Sequence, residues 1–169
     1  KIPGLFLLTA PARPHGRPVT EIQMADLLRE VRRRFDFCLL DAPAGLGRGF
    51  QLATCAADRC VVVTTADASS LRDAQHTVME LDRFPAGALH LVVNRVRKKL
   101  LRQLHATIDD AIDKAGLPLL GVVPEDDALP LCMNRGVPIL LADGQSAATA
   151  YRNIAKRLQG ERVPLLRIR

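Results

Sequence analysis

One aspartate is the residue best suited to do chemistry in this chain: Asp41, which closes the apolar run Phe37-Cys38-Leu39-Leu40 and precedes Ala42-Pro43-Ala44-Gly45. Such a run predicts a buried strand whose carboxylate emerges at the carboxyl edge of a parallel sheet, where open α/β sheets bind ligands. In nucleotide hydrolases an aspartate there orders the water shell of Mg²⁺. Pro43 and Gly45 set a loop whose amides can meet a terminal phosphate and change conformation on hydrolysis. Asn94 ends another apolar run, Leu89 to Asn94, and offers a donor and an acceptor together, as an adenine edge requires. Pro124-Glu125-Asp126-Asp127 follows the run Leu119 to Val123 and leads into a helix, where the helix dipole favours carboxylates. Taken singly, each of these has a structural explanation in turn or helix capping. Their order joins them, because each sits where a strand gives out on the same edge.

The partner of an Mg-ordering aspartate is a glycine-rich loop closed by Gly-Lys-Ser/Thr, whose amides and lysine cradle phosphates. The five lysines are Lys1, Lys98, Lys99, Lys114 and Lys156, and none follows a glycine. Half of a nucleotide site is therefore readable, and the other half is expected elsewhere or lost.

The elements that position these residues follow from short apolar runs alternating with stretches of helical period, the pattern of βαβ units around a parallel sheet. Strands are predicted at Leu5 to Leu8, Phe37 to Asp41, Cys60 to Thr64, Leu89 to Asn94 and Leu119 to Val123, with a short extended piece at Pro138 to Leu141. Thr20-Glu21-Ile22-Gln23 is a capping box that opens a helix, with Ile22, Ala25, Leu27, Leu28 and Val31 as its buried stripe. Further helices are expected at Gly49 to Ala57, from Ser69 or Ser70 with Leu71, Val78 and Leu81 inward, and from Ser146 to Gln159. Lys99 to Ala115 reads as one helix with Leu100, Leu101, Leu104, Ile108 and Ile112 on one face, stopped by Gly116-Leu117-Pro118. The fold class is α/β: a three-layer, doubly wound, mainly parallel sheet in one domain over residues 1–169.

With 169 residues, 48% of them hydrophobic, the chain can bury one core. No apolar run reaches the roughly 20 residues of a membrane-spanning helix, and no signal-peptide pattern follows Lys1, so a cytoplasmic location is the expectation. Cys38, Cys55, Cys60 and Cys132 form no Cys-x-x-Cys pair and read as reduced core thiols. The charge of +6 is concentrated in Arg32-Arg33-Arg34 and in Arg95 to Arg102, which reads as solvated helix surface that also permits an anionic partner.

Four ordered segments carry a resemblance. They are Phe37 to Gly45, Thr64-Thr65-Ala66-Asp67-Ala68-Ser69-Ser70-Leu71-Arg72-Asp73, Leu91-Val92-Val93-Asn94-Arg95 and Gly121-Val122-Val123-Pro124-Glu125-Asp126. With Asn134-Arg135-Gly136-Val137-Pro138-Ile139, Tyr151 and Gly160-Glu161-Arg162, the chain resembles the MinD/ParA family of deviant P-loop ATPases, in its septum-site-determining branch. The resemblance implies a P-loop NTPase-like fold, ATP or ADP with Mg²⁺ as ligand, and Asp41 as the Mg-associated carboxylate. It implies that Ala44 and Gly45 belong to the second switch, that Asn94 reads adenine, and that Pro124, Glu125 and Asp126 line the base pocket, largely through backbone. Ser70, Arg72 and Asp73 match the start of a helix on the family's dimer and partner face. A homodimer, a hydrolysis-stimulating or division-inhibitor protein, and the inner face of the cell membrane, reached through a further segment, are the implied partners.

The departures are the missing phosphate-loop unit and first switch, and Gly47-Arg48-Gly49 in place of a more polar switch segment, which gives Arg48 no catalytic role. Loss of the phosphate-loop strand would leave unpaired backbone groups beside Phe37 to Asp41, each costing about 1–3 kcal/mol if buried. The expectation is a longer chain, or a sheet that closes up or borrows a strand from another copy. Efficient ATP hydrolysis is not expected of these residues alone. Competing readings are a partition or flagellar-number-regulating ATPase, with duplex DNA as a partner of the Arg95 to Arg102 patch, and a non-catalytic partner-binding module built on this fold. An iron–sulfur carrier is disfavoured by the cysteine spacing.

Overall fold

The computed structural model describes residues 3–9, 18–103, 107–141 and 146–166. They fall in two compact units, Lys1–Ala57 and Asp58–Arg169.

The second unit is built on a parallel sheet of β1 (Cys60–Thr64), β2 (Leu89–Val96) and β3 (Leu119–Pro124), in that spatial order. Cys60 registers with Leu89 and Thr64 with Val93, while Val92 registers with Gly121 and Val96 with Pro124. A parallel strand covered on both faces has no polar side, so its sequence does not alternate. Leu91, Val92 and Val93 meet that condition, none more than 5% exposed.

The crossover helices α3 (Ala68–Met79) and α5 (Ile108–Ala115) pack on each other and against β1 and β2. Leu71, Ala74, Ala111 and Ala115 are their buried contacts. The opposite face of β3 is covered by α7 (Ser146–Leu158), whose Ala147, Ala148 and Ala150 join Val92, Leu120 and Val123 in one cluster. Small residues let α7 approach closely, and at Gly121 the approach is complete, since a Cβ there would overlap Ile154 Cγ1 and lie 2.9 Å from its Cδ1. Arg157 on α7 donates from Nη1 to the Leu120 carbonyl at 3.0 Å, and from Nε and Nη2 to the Val163 carbonyl at 2.8 and 2.5 Å. The segment after the helix is thereby tied to the start of β3.

Several boundaries depart from expectation for local reasons. Lys99 to Ala115 is not one helix but α4 (Lys98–Gln103) followed by α5, because Thr107 and Asp110 form a capping box that starts a new helix; Leu104 lies outside the described residues. The predicted stop at Gly116 is a left-handed C-cap with φ 66°. The cap of α3 is Asp67 rather than Ser69 or Ser70. Pro138 to Leu141 is not extended; Ile139–Leu141 makes a 3₁₀ turn after α6 (Ala128–Asn134).

The first unit holds α1 (Glu21–Arg32) and α2 (Arg48–Thr54). The Thr20–Gln23 capping box is present, and Arg48 donates to the Val19 carbonyl at 2.7 Å. Of the expected stripe of α1 only Leu28 is buried, while Ile22 is 76% exposed. Leu5 to Leu8 and Phe37 to Asp41 are not strands: among the described residues they pair with no other strand, and Leu7 and Leu39 are 88% and 87% exposed. An apolar run supplies side chains suited to a sheet, but the ladder needs a partner strand, which no local pattern provides. Cys38, on the second of these runs, is exposed rather than a core thiol.

Candidate functional site

The carboxyl edge of the sheet is built by the ends of β2 and β3. Asn94 is half-buried near the end of β2, and its Oδ1 accepts from the Arg95 amide at 2.9 Å, which leaves Nδ2 as the donor of its side chain. Arg95 itself has φ 52°, a left-handed conformation uncommon for a residue with a Cβ. The Glu125 amide donates to the Val96 carbonyl at 3.1 Å, so the chain past β3 stays bound to the end of β2. Asn94, Pro124 and Glu125 are thus brought to one edge by adjacent strands.

Charges organise the same edge. Glu125 accepts from Arg97 Nε through Oε2 and from Arg95 Nη2 through Oε1, the latter at 3.2 Å. The Arg97 guanidinium, with Arg95 adding to it, holds the Glu125 carboxyl below its usual range. Two residues of the basic run, themselves exposed as that run's reading as solvated surface expects, bracket the acid that follows β3.

Asp126 is half-buried and spent on backbone. Its Oδ1 accepts from the Ala128 amide at 3.1 Å, and its Oδ2 from the Ala147 amide at 3.1 Å and Ser146 Oγ at 3.3 Å. One carboxylate caps the starts of both α6 and α7.

At the end of β1, Thr65, Asp67, Ser69 and Ser70 form a closed polar knot. Asp67 accepts from the Thr65 hydroxyl, from the Ser70 amide at 3.0 Å and from Ser69 Oγ at 2.7 Å, and Thr65 Oγ1 lies 2.8 Å from Ser70 Oγ. The Thr65 hydroxyl, then the Ser70 amide and the Ser69 hydroxyl, hold the Asp67 carboxyl far below the usual carboxylate range. A depressed carboxyl contributes stability that is present above its unfolded value and lost as pH falls below it. Stability to urea is expected to decline from about pH 5 downward, and Asp67→Asn, which keeps the cap without the titration, to flatten that decline. An unchanged slope would remove Asp67 from the acid response. Arg72 and Asp73 are exposed on the next turn of α3, with Ser70 half-buried in the knot.

Asp41, Ala44 and Gly45 belong to the first unit and are exposed. Gly45 has φ 83°, so the turn after Pro43 uses a conformation that glycine adopts without strain. Pro43 packs on Gly49 at the start of α2, its Cδ 3.1 Å from where a Cβ would stand and its Cγ closer. The loop carrying Asp41 is held by α2 through a contact that leaves no room for a side chain.

A family model described as "Cellulose biosynthesis protein BcsQ" matches residues 13–158. The septum site-determining protein MinD of Synechocystis is 32% identical over 169 residues, covering 98% of this chain and 63% of that protein. MinD of Bacillus subtilis is 35% identical over 163 residues, covering 95% and 61%. The chain belongs to the MinD/ParA ATPase family. Among solved structures, the Aquifex aeolicus MinD cell division protein superposes on this MinD/ParA chain with a TM-score of 0.82 at 30% identity, over 88% of this chain and 64% of that one. The same organism's MinC:MinD complex gives 0.81 at 30% identity over 88% and 63%. Pyrococcus horikoshii MinD, solved with Mg-ADP, gives 0.69 at 25% identity over 82% and 56%. The fold is that of the MinD-like P-loop NTPases, and the chain spans less than two thirds of the length of these relatives. Among the described residues of this family member, no helix is long and apolar enough to cross a membrane.

Proposed function

We propose that this chain is the switch- and base-binding portion of a MinD-type ATPase that acts in division-site placement, dimerising with ATP bound and meeting a hydrolysis-stimulating or division-inhibitor protein. The observation that carries the reading is the carboxyl edge of the sheet: Asn94 beside Pro124 and Glu125, on a fold that superposes on MinD. These groups fit a purine base. The Asn94 amide NH₂ would donate to the base and the Pro124 and Glu125 carbonyls would accept from it, the Glu125 amide being held by Val96. Asp41 would hold Mg²⁺ through water, with Ala44 and Gly45 as the second switch and Ser70, Arg72 and Asp73 on the partner face. When bound, the ion neutralises charge on the transferred phosphoryl group.

No lysine in these 169 residues follows a glycine, so they carry no Gly-Lys-Ser/Thr loop of their own. The 169 residues alone are accordingly assigned base recognition with little turnover. The same observation favours a second reading, a non-catalytic partner-binding module. The BcsQ family match favours a third, a ParA-like role outside division-site placement.

Titration of the chain with a fluorescent adenine nucleotide separates these. Asn94→Ala is expected to weaken binding about tenfold, the value of one well-made hydrogen bond to the base. In a complete protein, Asp41→Ala is expected to abolish MgATP turnover while changing nucleotide affinity far less. Unchanged hydrolysis would remove Asp41 from the magnesium site, and absence of any nucleotide affinity would favour the module.

A further inference from the structure

Asn94 stands just past the regular part of the sheet. The ladder of β1 on β2 ends with Thr64 opposite Val93, and the register of β2 on β3 shifts between Val93 and Val96. Among the described residues, neither Asn94 nor Arg95 has a register partner on either side. The place of the Asn94 amide must therefore be fixed by contacts other than the ladder, and those contacts converge on Glu125. Arg95, at φ 52°, gives its amide to Asn94 Oδ1 at 2.9 Å and its Nη2 to Glu125 Oε1 at 3.2 Å, so one left-handed residue is tied to both sides of the proposed slot. Arg97 Nε donates to the other carboxylate oxygen, Oε2. With its amide on the Val96 carbonyl at 3.1 Å, Glu125 is bound to the end of β2 through its main chain and through both side-chain oxygens.

We infer that Arg97 is a positioning residue for base selection: it holds Glu125 so that the chain after β3 keeps a fixed place against Asn94, and the slot thereby prefers a 6-amino purine to a 6-oxo purine. The inference rests on the base slot proposed above. A 6-amino group donates, and a carbonyl at Pro124 or Glu125 would accept from it, whereas a 6-oxo group would set one acceptor against another. Asn94 alone cannot make that choice, because N7 accepts from its amide in either purine. The choice falls to the carbonyls, and a hydrogen bond weakens steeply as its angle closes, so their placement decides how strong the preference is. Arg95 reaches only one oxygen of Glu125, which leaves the carboxylate free to turn about that contact. Arg97 on the second oxygen removes this freedom.

ADP and IDP differ only in the purine's 6-substituent and the proton it brings to N1, so the ratio of their dissociation constants cancels every phosphate and ribose contact. Calorimetric titration of the full-length protein should show a preference for ADP, and Arg97→Ala should lower that preference about threefold or more with an unchanged circular dichroism spectrum. The alanine variant keeps the main-chain carbonyl of residue 97, which accepts from the Leu101 amide at 3.0 Å at the start of α4. Glu125→Ala should lower the preference as well, and adding Arg97→Ala to it should do nothing more, as for a residue that acts through another. A preference for ADP untouched by Arg97→Ala, or losses that add in the double variant, would overturn the inference while the base slot stands. Equal affinity of the wild type for ADP and IDP would also overturn it, and an Asn94→Ala variant with unchanged ADP affinity would take the base slot with it.

Discussion

Asp126→Ala should lower the free energy of unfolding by about 2–3 kcal/mol, the largest loss expected from any single polar residue of the second unit. The carboxylate accepts from the Ala128 and Ala147 amides and from Ser146 Oγ, so its removal leaves the first turns of α6 and α7 without their acceptor together. For a chain of this size the corresponding drop in Tm is about 4–12 °C. Asp126→Asn keeps one carbonyl oxygen and should lose roughly half as much. Urea unfolding of the three proteins checks this, and a loss under about 0.5 kcal/mol for the alanine variant would mean that water replaces the carboxylate at both helix ends. A base slot at this edge would consequently be lined by main chain at Asp126, with its side chain engaged behind it.

Gly121→Ala is the second large effect, a destabilisation of about 1–3 kcal/mol from one added methyl group. The new Cβ would enter the space of Ile154 Cγ1 and stand 2.9 Å from Cδ1, so α7 must move off β3 or the isoleucine must leave its rotamer. The cause is identified by a double-mutant cycle. Ile154→Ala removes the obstructing atoms, and the pair should be more stable than the sum of its parts by about 1 kcal/mol or more. Additive losses would point to glycine's backbone at position 121 and away from the helix contact.

Cys60 to Thr64 was read from the sequence with both ends as observed, and β2 and β3 to within two residues, because an uninterrupted valine-rich run between turn residues has few alternatives in an α/β chain. The Thr20 capping box and the Gly116 stop were equally plain, each a local motif with a local mechanism. Leu5 to Leu8 and Phe37 to Asp41 are as apolar as the true strands, though Leu- and Phe-rich where those are Val-rich, and are not strands. What separates them is a partner, which lies outside any window of sequence. Of the candidate site, Asn94 and Pro124 to Asp126 come to one edge as their positions at strand ends implied. The tie between Arg97 and Glu125 and the double capping by Asp126 were hidden because they join groups brought close by register and by the return of α7.

The sheet's order, β1-β2-β3, makes each strand the neighbour of the one before it, with register partners about thirty residues apart. Loops of that length close at modest entropic cost, and the sheet can grow in step with the chain's emergence from the ribosome. The face of β3 that carries Leu120 and Val123 is the exception, for its cover is α7, which ends at Leu158. At the usual pace of synthesis, roughly 5–20 residues per second, that apolar face stays uncovered for seconds after β3 itself is made. The interval marks the stage at which a nascent chain most needs a chaperone.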